Sequence, residues 1–136
     1  VSAAVQGRRE HRRWIRAARL KAYGEFLASI DTWMQLLCTS WVERVALGQT
    51  TSELEARGLV VEEEVQRAQS RVVLLGPDPV RACAAQYHHA VIDRIEATQA
   101  AGSIEAVARI DLKPLTEARA LMLAVMNRSL GLGPDF

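Results

Sequence analysis

The residues of this chain whose types could carry chemistry are three histidines, two cysteines and a run of glutamates. His88 and His89 are adjacent, and neighbouring side chains on a helix diverge by about 100°, so the two do not chelate one ion from one helix. His89 and Asp93, four apart, share a helix face and offer two ligands or a surface ion pair. No third ligand follows at a metal-site spacing. The spacing favours the surface pair, with His88 as a half-buried, hydrogen-bonded histidine at the border of an apolar face. Glu62, Glu63 and Glu64 point in different directions on a helix, and the Glu-x-x-His motif of di-metal bundles does not occur. Cys38 and Cys83 fit neither a disulfide framework nor a zinc-ligand spacing, and their apolar helical neighbours predict buried free thiols. His11 sits among arginines.

No glycine-rich phosphate cradle is present, nor a GxSxG, HExxH or calcium-loop motif. The expectation is therefore no catalytic residue, no metal and no cofactor. An enzyme built on His88, His89 and Asp93 is one alternative.

The strongest chemical signal is charge. Residues 8–21 hold Arg8, Arg9, Arg12, Arg13, Arg16, Arg19 and Lys21 against Glu10, a net of +6, while the whole chain carries only +1. A docking surface made of Arg9, Arg12, Arg13, Arg16 and Trp14 would recognise an anionic partner: an acidic protein, nucleic acid or a membrane surface. The bland alternative is an arm solvated by its arginines. Lacking a helix-turn-helix signature and an overall positive charge, the chain fits a protein partner, or a second copy of itself, better than nucleic acid. A complementary patch lies further on. Glu53, Glu55, Glu62, Glu63 and Glu64 against Arg57 give −4.

The elements that position these groups follow from periodicity. Leu20, Tyr23, Leu27, Ile30, Met34, Leu37 and Trp41 are spaced 3-4-3-4-3-4, a heptad seam that Phe26 and Trp33 widen into a core stripe. This predicts a helix over about 8–47, stopped by Gly48. Leu54, Gly58, Val61, Val65, Ala68, Val72 and Leu75 give a second seam, over 52–75, opened by a Ser52–Glu55 capping box. Its small residues face the large ones of the first, and the short connection makes the two helices an antiparallel hairpin. Gly76-Pro77-Asp78-Pro79 ends that helix, with Asp78 as the expected cap of a third over about 79–101. Val80, Ala84, Tyr87, Val91, Ile95 and Thr98 form its face. Residues 104–112 fit a short helix or an ordered loop. Pro114 opens a last helix over about 114–130, with Leu115, Ala118, Met122 and Val125 inward and Gly131 and Gly133-Pro134 closing it.

The 136 residues suit one domain, 49% hydrophobic and 24% charged, which excludes bulk disorder. The longest purely apolar run, Ala120–Met126, is far short of a membrane span. No stretch alternates with period two. The expected fold is all-α, an antiparallel four-helix bundle with a long first helix, in a single domain over 1–136. Helix one would overhang its partner by roughly residues 8–22. The expected setting is cytoplasmic, with an anchor upstream of Val1 left open.

The segment Arg13-Trp14-Ile15-Arg16-Ala17-Ala18-Arg19-Leu20-Lys21-Ala22-Tyr23-Gly24-Glu25-Phe26-Leu27 resembles the opening helix of small helical proteins of unknown function in actinobacteria. Arg71-Val72-Val73-Leu74-Leu75-Gly76-Pro77 is similar to the end of their second helix. The resemblance implies a helical bundle and assigns no site residue.

Overall fold

The computed structural model describes residues 2–132, and every regular element among them is helical. The chain opens with α1 (Ala3–Met34), which passes through a π-helical segment (Gln35–Ser40) into α2 (Trp41–Ala46). These three form one continuous helical run. It starts at Ala3 rather than near Arg8, because the Ser2 hydroxyl accepts a hydrogen bond from the Val5 amide at 3.3 Å. The π segment answers a packing demand. Leu36, Leu37 and Cys38 are consecutive and all buried. On an α-helix three successive side chains spread over about 200°, and the wider π turn narrows that spread. Gly48, with φ of 67°, then lets the chain reverse.

Helix α3 (Ser52–Leu75) returns antiparallel along α1. Leu37 lies against Gly58, the Arg71 guanidinium pairs with Glu25 at 2.9 Å, and Arg19 reaches Leu75. Leu54, Gly58, Val65, Ala68 and Val72 are buried, with Val61 and Leu75 half-buried beside them. A Cβ on Gly58 would stand 2.8 Å from the Leu37 Cδ2, so a large residue is seated where a side chain is missing. The expected capping box does not form. Thr51 is the N-cap and Ser52 the first helical residue. The Ser52 amide donates to the Thr50 hydroxyl at 3.2 Å, and the two hydroxyls lie 2.7 Å apart, which takes the Ser52 side chain out of a capping role.

The next turn is equally tight. A Cβ on Gly76 would meet the Val72 carbonyl at 2.8 Å. Pro77 caps α4 (Asp78–Ala100), so Asp78 is inside the helix, paired with Arg81. Val80, Cys83, Ala84, Tyr87, Val91, Ile95 and Thr98 are buried. A short α5 (Ile104–Ala108) follows, capped by the Ser103 hydroxyl, which accepts from the Ala106 amide at 3.1 Å. The last element is α6 (Lys113–Ser129), whose first amide donates to the Asp111 carboxylate at 3.0 Å. Gly131, with φ of 71°, follows its end. The expected Gly133-Pro134 stop lies outside the described residues.

One continuous core joins these elements. Helix α1 packs along α3 and α4 along α6, while the π segment touches both α3 and α4. The first seam is rotated from its expected centre. Tyr23, Phe26, Ile30, Trp33 and Leu37 are buried, and Leu20 is 58% exposed. The stripe is thus centred on the aromatics that were expected only to widen it. Among the described residues no helix is long and apolar enough to cross a membrane.

Candidate functional site

The basic segment divides in two. Residues 2–14 are all exposed, whereas Ile15, Ala18 and Arg19 are half-buried and Ala22 enters the core. The body therefore begins about one turn before Tyr23, and α1 projects beyond it as an arm. The anchoring end of the arm is specific. The Arg19 Nε–H donates to the Leu75 carbonyl at 2.6 Å, at the C-terminus of α3. The Tyr23 hydroxyl and the Ser129 hydroxyl lie 2.7 Å apart, tying α1 to the end of α6. His11, Arg12, Arg16 and Arg19 line a shallow cleft with Ser129, Leu130 and Gly131. Cations beside the C-termini of α3 and α6 meet the negative ends of two helix dipoles, which accounts for a seam that turns from apolar to basic at this level.

From this cleft outward, Arg19 apart, the arginines are unmatched among the described residues. Among the described residues, Arg8, Arg9, Arg12, Arg13 and Arg16 make no ion pair and no hydrogen bond to a protein group. At about 100° per residue, Val5, Arg8, Arg9, Arg12 and Arg16 fall at i, i+3, i+4, i+7 and i+11 and share one face, with Arg13 on its flank. Trp14 lies on the opposite side. It is 61% exposed and stacks on His11, ring centroids 6.2 Å apart. Of the five residues expected to form one docking surface, four gather on one side of the helix and Trp14 stands apart.

The other candidates are dispersed. His88 is half-buried against Trp33, ring centroids 5.6 Å apart, and among the described residues the hydrogen bond expected of it does not form. Its burial lowers its pKa below the usual value, the neighbouring His89 adds to this, and Glu62 opposes it. His89 and Asp93 are both exposed and do not form the expected ion pair. They open instead onto a cleft between α4 and α6 shared with Gln86, Arg94 and Asp111. Among the described residues no three His, Cys, Asp or Glu side chains converge on a point that would hold a metal ion.

Cys38 and Cys83 are buried and free. Burial pushes the Cys38 thiol up, against the weaker opposing effects of Thr98 and Arg94. A thiol held protonated is a poor nucleophile. The Trp33 indole N–H and the Tyr87 hydroxyl are buried without a hydrogen-bond partner. Burial raises the Tyr87 pKa, opposed by the charge of Arg119.

One feature escaped the sequence reading. Glu55, Leu59 and Glu62 on α3, and Ile92, Glu96 and Gln99 on α4, line the two walls of a single groove. Both triplets are spaced i, i+4, i+7. That repeat, lying off the two apolar seams, was the signal available to find it.

No family model matches the chain, and no curated protein or solved structure is significantly similar to it.

Proposed function

We propose that the protein is a non-enzymatic interaction module that uses its N-terminal arm to dock on an acidic protein surface. The body in this reading is an antiparallel four-helix bundle with a long first helix, whose work is to hold the arm out and fix its orientation. The observation that carries the proposal is the set of unpaired guanidiniums on an exposed helix. Arg9, Arg12, Arg13 and Arg16 find no carboxylate within the described residues, although the chain has acidic side chains to offer. Arg19 and Lys21, one or two turns further along, are both engaged. An arginine pairs well with carboxylates through its planar fork of donors, so a row of free ones is a recognition surface awaiting its counterpart. Trp14, on the other side of the arm and stacked on His11, lies outside this surface.

The test compares wild type with a variant in which Arg9, Arg12, Arg13 and Arg16 are all changed to Gln. Both are titrated against poly-L-glutamate and against random-sequence duplex DNA at about 50 and about 200 mM salt. The proposal expects poly-L-glutamate binding that the variant loses at least tenfold, with duplex DNA bound no more tightly. Equal binding by wild type and variant overturns it. Duplex binding far tighter than poly-L-glutamate binding, falling steeply with salt, would assign the arm to nucleic acid instead.

A further inference from the structure

We infer that the acidic groove between α3 and α4 is the receptor for the arm of a second copy of this chain, so that the protein pairs with itself. The inference rests on the arm being a protein-docking element and names its partner.

The groove has the shape and composition to hold a helix. Its α3 wall carries Glu55, Leu59 and Glu62, and its α4 wall carries Ile92, Glu96 and Gln99. Trp33 and Leu37 of the α1 run also line it, and α3 and α4 pack less extensively on each other than α1 does on α3. Leu59 is 66% exposed, an apolar side chain with nothing over it. The Trp33 indole N–H, in the same lining, is buried without an acceptor. No cation lines the groove, and none of Glu55, Glu62 and Glu96 is in an ion pair among the described residues. An apolar floor with carboxylates along both walls suits a helix whose contact face is arginine, because guanidiniums reach the walls while their methylene stems lie on the floor.

The arm is such a helix. Arg9 and Arg16, seven residues apart, are separated by about 10.5 Å along the axis, the same rise that separates Glu55 from Glu62. Arg12 lies between them toward the second wall, and Val5, on the same face, extends the contact with an apolar side chain. The two surfaces cannot meet within one molecule. Gly58 lies beside Leu37, and Leu37 is about 37 Å along α1 from Arg12. A rigid helix cannot fold its own start back over that distance. Two copies lying antiparallel place each arm beside the other's groove at once, which closes the contact as a two-fold pair.

The test is a charge swap read by sedimentation, with full-length protein at about 50 mM salt. One variant carries Arg9→Glu, Arg12→Glu and Arg16→Glu, and the other carries Glu55→Lys, Glu62→Lys and Glu96→Lys. The inference expects wild type at about twice the monomer mass, each variant alone as a monomer, and the equimolar mixture restored to the dimer mass. A Trp14→Ala variant should remain dimeric, because Trp14 faces away. A milder groove variant with Glu55→Gln, Glu62→Gln and Glu96→Gln should weaken association at least tenfold, which keeps the result readable should the lysine variant fail to fold. Monomeric wild type, or a groove variant as dimeric as wild type, overturns the inference. Monomeric wild type alongside arm-dependent binding of poly-L-glutamate would leave the arm's docking role standing and remove only the self-pairing.

Discussion

His88 is the residue whose chemistry the fold changes most usefully. Its ring is packed on Trp33, and burial there disfavours the imidazolium more than Glu62 favours it. The unfolded chain holds this histidine near its ordinary value of 6.5, while the folded chain holds it lower. As pH falls, the unfolded state takes up the proton first. The resulting stability is therefore full above the unfolded value and drains away as pH drops through the window down to the folded one. Urea midpoints of wild type should fall between about pH 7 and about pH 5, and those of His88→Gln should fall less steeply. Parallel slopes for the two proteins would show that His88 is not the titrating group.

At the scale of elements, the contact of Gly58 with Leu37 sets how closely the π segment and α3 approach. The sequence announced it as a glycine in an otherwise apolar seam facing a seam of large residues, and the 4-3 spacing of α3 placed all seven of its seam residues at least partly out of water. The π segment had no such signal. Its cause is the joint demand of α3 and α4 for three consecutive side chains, and a pattern read along one helix does not contain its neighbours. The misplacement of Leu20 has the same origin. Heptad spacing identifies a set of stripes related by small rotations, and only packing against α3 and α4 together selects the one through Phe26 and Trp33. Gly58→Val should cost about 1–3 kcal/mol through overpacking. In a Leu37→Ala background most of that cost should vanish, since the added methyls fill the space the leucine left. A double-mutant cycle by urea denaturation should show a coupling of at least about 1 kcal/mol, and strictly additive effects would mean that the two residues do not share the space.

Across the whole molecule, body and arm differ in how legible they were. The body declares itself through periodicity because burial repeats with the helix turn. The arm declares only its charge, and charge does not say what it meets: Arg19 and Arg9 read alike in the sequence, yet one caps α3 and the other projects into solvent. The division of labour between the two parts has a mechanical consequence. Residues 2–14 are exposed throughout, so removing them takes no described side chain out of the core. The truncated chain should keep its helical body with a stability within about 0.5 kcal/mol of wild type, as for surface changes generally. Arg19→Ala should do more harm with one side chain. It deletes a donor to the Leu75 carbonyl and a cation at the end of α3, and a hydrogen bond of that charged kind is worth about 1.5–3 kcal/mol. Thermal or urea unfolding of the two variants ranks them directly. A truncation costing more than Arg19→Ala would mean that the arm packs on the body after all, and the arginines along it would then be structural rather than free to receive a partner.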